Sequence, residues 1–420
     1  MLLPISILAA LLLLIMVMQI VWGNRFVAMY HQTYEHLKDD DSPHVGVIMS
    51  LRGADPYLKD CLKGLLNLDY PGHEVHIVVD SDVDPAYEVV QQAVRTARES
   101  GAKHINVEIL DVVQQTCSLK NAALLQGIRA CSDHCSAYAW LDSDTVPYPG
   151  WLKDLVTPLR DQSVGATCGI RWFAPPTQTL ANYVRHIWNS AALLQMIAFE
   201  IGWGGAFVIR RSVFEKANLA DKWSRALFED TLASNEVLAE GQRVRFVAAA
   251  TMPNPETATL KWCLGFVTRQ LLGLRFYHSA WKKVLFLGVF SGLVLMADAG
   301  LAAIALTRGK YLEGGIGLGA IVVLGVISGW LIRRSERDIG RFLQNRSVGG
   351  RSSILMLMLA APVTQLVHLV ALVRVYFWRD VVWRGIRYKI RSGMDLTRLN
   401  YAPYQPDAPR KGASDVTHSI

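Results

Sequence analysis

Leu2 to Trp22 is an almost unbroken run of Leu, Ile, Ala, Val and Met, and three further apolar runs lie toward the other end, Val284–Leu306, Gly315–Ile332 and Ile354–Val373. A run of about 20 apolar residues is long enough to cross a bilayer as a helix. The chain therefore cannot fold as one soluble body. It must divide into membrane segments at both ends and a polar stretch, residues 23–283, between them. The composition agrees: 51% of the 420 residues are hydrophobic and only 19% are charged. That mixture excludes a disordered or collagen-like chain. The first run reads as a permanent anchor, not a cleaved signal peptide, because it has no basic leader and no small-residue cleavage site.

The net charge of +7 is unevenly placed. From Arg333 to the end there are 15 basic and 6 acidic residues, so the rest of the chain is slightly acidic. A basic segment beside hydrophobic runs points to the cytoplasmic face of a membrane. Nucleic acid is not indicated, since neither zinc-finger spacing nor an RNA-binding motif occurs. The basic stretch Arg333-Arg334-Ser335-Glu336-Arg337 should be cytoplasmic, which puts Arg308 and Lys310 outside and residues 23–283 inside. Full crossing by Ile354–Val373 would then put Arg379, Arg384, Arg387, Lys389 and Arg391 outside. Pro362, followed by Gln365 and His368, also permits a broken or re-entrant helix that keeps them inside, and both arrangements stay open. Asp298 is the one acid in the run that holds it and should face protein or water. Gly315, Gly317 and Gly319 suit close helix packing. The six cysteines contain no C-x-x-C pair, which suggests reduced, mostly buried thiols and neither a zinc site nor a thioredoxin-like site.

Between the membrane runs, short apolar stretches alternate with helical ones. Val45–Ser50, His73–Val79, Ile105–Leu110 and Tyr138–Leu141 read as strands, with helices over 56–68, 86–99 and from Leu119. This order indicates an α/β domain with a mainly parallel sheet, whose ligands bind beyond the carboxyl ends of the strands. Four polar groups fall there. Asp80-Ser81-Asp82-Val83-Asp84 follows the second strand; its acids are either turn formers or a contact for a base or ribose. Ser118-Leu119-Lys120-Asn121 opens a helix, with Ser118 as N-cap and Lys120 and Asn121 placed to meet a diphosphate. Asp142-Ser143-Asp144 directly follows a hydrophobic strand, a D-x-D pair able to share a hard divalent cation with phosphate oxygens. Phe228-Glu229-Asp230 opens another helix; Asp230 is either an N-cap or a general base. Upstream, Gly202-Trp203-Gly204-Gly205-Ala206 combines close backbone approach with a flat apolar surface suited to a sugar or lipid.

Taken in order, the aspartate cluster, Ser-x-Lys-Asn, D-x-D, Gly-Gly-Ala and Glu-Asp resemble the family 2 glycosyltransferases of GT-A fold, and in particular the membrane-bound ceramide glucosyltransferase group. The resemblance runs from the anchor to about residue 390. It implies Asp80 as the uridine contact, Lys120 and Asn121 near the diphosphate, and Asp142 and Asp144 as the metal pair, Asp144 being the more direct ligand. It implies Asp230 as catalytic base with Glu229 beside it, and Trp203, Gly204, Gly205 and Ala206 around the acceptor. The donor would be a UDP-sugar, with Mg2+ or Mn2+, and the chemistry inverting. The Q/R-x-x-R-W segment of such proteins is only approximated, since Gln270-x-x reaches Gly273; Arg269, Gln270 and Arg275 are the residues of suitable chemistry. Snorkelling arginines on an interfacial helix are the competing reading of that stretch. Trp383-Arg384-Gly385-Ile386-Arg387-Tyr388 also looks like the C-terminal segment of the group.

The resulting expectation is an anchor over 1–23, a GT-A domain over 24–255, interfacial helices over 256–283, a membrane region over 284–377 and a basic tail over 378–420. The expected reaction moves a hexose, glucose in that group, from a UDP-sugar to a membrane lipid hydroxyl such as ceramide at the cytoplasmic face. A processive polysaccharide synthase of the same fold is the alternative. A membrane-tethered nucleotide-binding or transport component is a third, weakened because the chain has no P-loop and no G-x-G-x-x-G after its first strand.

Overall fold

The computed structural model describes residues 1–32, 35–101, 104–111, 114–173, 177–343 and 351–405. A long first helix, α1 (Leu2–Met29), leads into the α/β domain. There follow β1 (Val45–Leu51), α2 (Leu58–Leu65), β2 (His73–Val79), α3 (Pro85–Glu99), β3 (Ile105–Ile109), α4 (Leu119–Ala130), β4 (Ala137–Leu141) and α5 (Trp151–Val156). The domain continues with β5 (Val164–Phe173), α6 (Leu180–Phe199), β6 (Ala206–Arg210), α7 (Arg211–Lys216), α8 (Leu219–Trp223), α9 (Glu229–Ala239) and β7 (Arg243–Asn254). The chain ends in α10 (Leu260–Tyr277), α11 (Trp281–Thr307), α12 (Tyr311–Leu343), α13 (Ile354–Phe377) and three short strands, β8 (Asp380–Trp383), β9 (Ile386–Ser392) and β10 (Asp395–Arg398).

The main sheet has the order β3-β2-β1-β4-β6-β5-β7. Strands β1 to β4 pair in parallel, and β6 runs antiparallel to both its neighbours. Alternate residues feed two cores. Val45, Val47 and Met49 pack on one face with Trp151 and Ile77, while Ile48 packs on the other with Val78, Trp140 and Trp223. Burial on both faces is what makes β1 and β4 read as continuous apolar runs. From β1 the chain first adds β2 and β3 on one side and then β4 on the other. The sheet order therefore switches between β1 and β4, and the crevice at their carboxyl ends is where such folds bind ligands.

Four helices, α1, α11, α12 and α13, are long and apolar enough to cross a membrane. Gln19 and Gly23 of α1 lie against Ser328 and Leu331 of α12, so those two run parallel. A turn at 308–310 returns α11 into α12, and Asp298 is fully buried against Gly317 there, facing protein as its position required. Gly317 makes that close approach, whereas a Cβ on Gly315 or Gly319 would meet no other element within 4 Å among the described residues.

Helix α13 behaves differently. Its first turns, Leu357 and Ala360, pack on Tyr183, Val184 and Cys263. Its middle receives a hydrogen bond from Trp188 Nε1 to His368 Nδ1 at 3.1 Å, and near its end Arg275 Nη1 donates to the Val375 carbonyl at 2.6 Å. Both ends of α13 thus rest on α6 and α10, which lie against the α/β domain. Leu355, Leu359, Leu366, Val370, Val373 and Phe377 form its exposed apolar side. The segment expected as a basic tail returns to the same side of the molecule as the domain and folds into the antiparallel sheet β10-β9-β8. Residues 406–420 of that tail lie outside the described residues.

Candidate active site

The carboxyl ends of β1, β2 and β4 open into a cavity of about 90 Å³, lined among others by Arg52, Asp80, Lys120, Asp142, Asp144 and Arg171, and by Trp383, Arg384 and Tyr388 of the C-terminal sheet. One of its polar groups is built by α4. Ser118 caps that helix, accepting from Asn121 N at 3.1 Å, so the first turn holds Lys120 in a fixed direction. Lys120 Nζ lies 2.5 Å from Asp142 Oδ1 and 2.6 Å from Glu229 Oε1. Burial opposes the charge on Lys120, but Asp142, Glu229 and Asp230 outweigh it and hold the ammonium well above the ordinary lysine range. Glu229 is pushed up to about 7, because burial outweighs the pull of Lys120 and the neighbouring carboxylates add to it.

Asp230 sits in the first turn of α9. The N-cap position is Phe228, which contributes no side-chain cap, so the capping reading of Asp230 fails. Its Oδ2 accepts from Gly204 N at 2.8 Å and its Oδ1 from Thr231 N at 2.6 Å. Both bonds fix the orientation of a carboxylate that is only partly buried. A Cβ on Gly204 would stand 2.3 Å from Glu229 Oε1 and 3.1 Å from Asp230 Cβ. Glycine is therefore required there by the approach of α9 to the 202–205 turn. Gly204→Ala should lower turnover by about 10²-fold, the effect of displacing a reacting group by a fraction of a side chain. Circular dichroism of the variant should match the parent protein.

Asp144 is 7% exposed, accepts from Asn254 Nδ2 at 3.3 Å, and its Oδ1 has no hydrogen-bond partner among the described residues. Burial, reinforced by Asp142, pushes its carboxyl up to about 7. A buried, unsatisfied carboxylate oxygen beside a second carboxylate, facing a cationic wall, fits Mg2+ or Mn2+, whose remaining positions diphosphate oxygens and water would fill.

The cationic wall is only partly the expected one. Arg269 lies over Trp383 at 5.8 Å and has its pKa lowered to about 9 by burial and by the nearby Arg171 and Arg384. Arg275 is elsewhere: it lies 4.4 Å over Tyr376 and donates to α13. The two arginines are therefore separated, Arg269 toward the cavity and Arg275 in the membrane-proximal packing. Gln270 is half-buried next to Arg269 on α10; neither lines the cavity itself, and Arg269 reaches it through Trp383. Asn121 turns away from the cavity, donating to the carbonyls of Trp223 and Ala226 at 3.2 and 3.0 Å. Its work is to fasten α4 to the loop before α9. Arg269→Ala should reduce transfer by about 10²-fold, as removal of a charge-stabilising donor does; Arg275→Ala should leave donor kinetics near those of the parent, and steady-state assays of the two variants side by side check both.

Several site residues had no role in the sequence reading, which quoted Arg384 and Tyr388 only within a resembling segment. Arg171 on β5 stands over Phe173, Trp203 and Phe266 at 5.2, 5.3 and 5.1 Å. Arg384 donates to Asp55 Oδ2 at 2.8 Å and to the Arg52 carbonyl at 2.5 Å. Tyr388 takes up the Leu119 N–H at 3.1 Å and so ties β9 to the start of α4. The Trp383–Tyr388 segment thereby acquires a physical role as one wall of the cavity. Asp80 is 4% exposed; its Oδ2 accepts from Arg52 Nη1 at 2.5 Å and from Tyr404 N at 3.0 Å. The segment after β10 therefore crosses directly over the expected base contact, with Tyr401 and Tyr404 flanking the Arg52 guanidinium at 5.9 and 5.6 Å.

The model of glycosyl transferase family 21 matches residues 5–396, nearly the whole chain. The chain belongs to glycosyltransferase family 21. Two curated relatives share shorter stretches. A ceramide glucosyltransferase of Pyricularia oryzae is 40% identical over 60 residues, 14% of this chain and 12% of the relative. A ceramide glucosyltransferase of Gibberella zeae is 38% identical over 56 residues, 13% of this chain and 11% of the relative. The matched stretches thus span about one-eighth of those relatives' own length. Among solved structures, a mannosyltransferase from Pyrobaculum calidifontis, in complex with GDP-Man and Mn2+, superposes with a TM-score of 0.50 at 15% identity, covering 89% of this chain and 99% of that one. The GT-A expectation is borne out by that fold, and the resemblance to the ceramide glucosyltransferase group by the family. This glycosyltransferase keeps its polar cavity at the sheet's switch point and roofs it with its own C-terminal strands.

Proposed function

We propose that this glycosyltransferase transfers a hexose, glucose, from a UDP-sugar to the hydroxyl of a membrane lipid, with ceramide as the acceptor class, by a single inverting displacement. The observation that carries the reading is the placing of Asp230. Its carboxylate is fixed by Gly204 N at 2.8 Å, directly after Glu229 of the Lys120–Glu229 pair, on a helix that packs against α10. A lipid hydroxyl reaching in from that side meets a base and then a donor.

In this mechanism Asp230 accepts the proton of the acceptor hydroxyl as its oxygen bonds to the anomeric carbon. The bond from that carbon to the diphosphate oxygen breaks, and charge grows on the leaving group. Arg171, Arg269 and Arg384 would stabilise it as positive charges already held in place around the cavity. Asp142 and Asp144 would hold the Mg2+ or Mn2+, which supplies Lewis-acid stabilisation of the diphosphate when bound. Lys120 is bridged by Asp142 and Glu229 and keeps both in place. The uracil of the donor would take over the Asp80 carboxylate from Tyr404 N. The catalytic domain faces the cytoplasm in this reading, supported by the basic residues Arg333, Arg334 and Arg337 near the domain end of α12.

Membranes containing the protein, given labelled UDP-glucose and ceramide, should yield one chloroform-soluble labelled product that mass spectrometry identifies as hexosylceramide. An insoluble labelled polymer would instead establish a processive synthase and sink the proposal.

A further inference from the structure

At the end of the sheet opposite the catalytic cavity lies a second cluster of ligating side chains. Glu74 and His76 are two apart on β2 and therefore share a face, opposite Gly46 and Ile48 of β1 in the parallel register. Helix α4 ends over this face at Cys131, and after a short turn Cys135 precedes β4. The thiols fit there because residue 46 has no side chain: a Cβ on Gly46 would stand 2.3 Å from Cys131 Sγ and 3.5 Å from Cys135 Sγ. One ligand atom from each of Glu74, His76 and Cys131 lies within 4.8 Å of the others, and the same holds for His44, Glu74 and Cys135.

The polar groups of this cluster are incompletely satisfied. Glu74 Oε1 receives Ser132 N at 2.6 Å and Cys135 Sγ at 3.1 Å, and lies 3.3 Å from His76 Nε2. The His76 side chain is only 7% exposed, its Nδ1 has no hydrogen-bond partner among the described residues, and its Nε2 has only the 3.3 Å approach to Glu74 Oε1. A buried imidazole nitrogen with no partner needs an explanation, because the desolvation it suffers is ordinarily compensated by one. A metal ion supplies one.

We propose that Glu74, His76, Cys131 and Cys135 bind a single Zn2+ ion, with His44 on the open side beside Cys135. Two thiolates, an imidazole and a carboxylate form a set that selects zinc over the magnesium or manganese suited to Asp142 and Asp144. Binding releases the two thiol protons to solvent and leaves the imidazole neutral. The site then carries one net negative charge. Arg211, whose Nη1 is 3.5 Å from the Cys135 carbonyl, stands near enough to balance it. The consequence is structural: zinc would clamp the carboxyl end of α4 to β2, and the other end of α4 carries Lys120. The cysteine spacing, with three residues between the pair, gave no C-x-x-C signal.

The test uses the full chain purified in detergent under reducing conditions without chelator. Elemental analysis should find about one zinc per chain, the stoichiometry of a closed structural site. Stripped protein titrated with Co2+ should develop a sulfur-to-cobalt charge-transfer band. Cys131→Ser combined with Cys135→Ser, and separately His76→Gln, should lose the metal and the band. Asp142→Ala combined with Asp144→Ala should keep both, which separates this site from the catalytic one. Should the double cysteine variant fail to fold, alkylation of the parent protein decides: zinc should protect two thiols. Reduced protein that takes up neither zinc nor cobalt overturns the proposal. So does metal content unmoved by the cysteine and histidine variants, alkylation that zinc leaves unchanged, or a Cys131–Cys135 disulfide whose reduction creates no zinc binding.

Discussion

Asp230→Asn should lower sugar transfer by about 10³-fold while leaving donor binding intact, within the range that general-base removal produces. The substitution is nearly isosteric, and the amide oxygen of Asn can keep the bond from Gly204 N, while the bond that the second carboxylate oxygen takes from Thr231 N is lost. The capacity to take a proton is lost, and the orientation set by Gly204 N is kept. The neighbouring Glu229 cannot replace it. That carboxylate is 2% exposed, is committed to Lys120 at 2.6 Å, and is walled from the acceptor side by the 202–205 turn. Initial rates with labelled UDP-glucose, together with UDP binding measured by calorimetry, separate the two effects. Transfer within about tenfold of the parent, below the span of general-base catalysis, would remove Asp230 from the mechanism.

The domain's architecture was legible because buried strands leave continuous apolar runs, and because ligand groups must follow strand ends in such a sheet. Ser118 could be read as an N-cap for a local reason, since a cap bonds to its own helix three residues on. The misplacements are also physical. Lys120 and Asn121 are adjacent on α4, about 100° apart around the helix, so only one can face the cavity. Arg269 and Arg275 are six residues apart on α10, which turns one about 240° away from the other. The sequence motif could not say which faced the site until α10 had its neighbours. Arg384 and Arg52 were out of reach for another reason. Their contacts join positions 332 residues apart, across the whole membrane module, and no local pattern encodes such a pairing. The fate of the basic tail was similarly hidden: hydropathy counts the length of α13 but does not record that its ends pack on α6 and α10.

Asp144→Asn should abolish metal-dependent transfer, by about 10³-fold or more, while the protein becomes no less stable. The activity loss follows from the several kcal/mol that a metal contributes to stabilising a departing diphosphate. The stability argument runs through the carboxyl itself. Asp144 is buried with Oδ1 unsatisfied, and its pKa is raised to about 7 from the ordinary 3.8. A carboxyl raised on folding contributes its stability when protonated, fully below its unfolded value. That contribution is lost as pH rises through about 7, because the charged form is the one burial penalises. At pH 8 an uncharged amide removes this penalty, so the metal-free variant should melt at the same temperature as the metal-free parent or higher. Asp142 differs. Its Oδ1 holds Lys120 at 2.5 Å, and Asp142→Asn would leave that ammonium to Glu229 alone, so activity should fall with some loss of thermal stability. Thermal melts with and without Mn2+ and UDP distinguish the two carboxylates. The parent should be stabilised by the pair of ligands together, and Asp144→Asn should show no such shift. An Asp144→Asn protein still stabilised by Mn2+ with UDP, or one that melts well below the metal-free parent, would show that Asp144 holds the fold together and does not hold the ion.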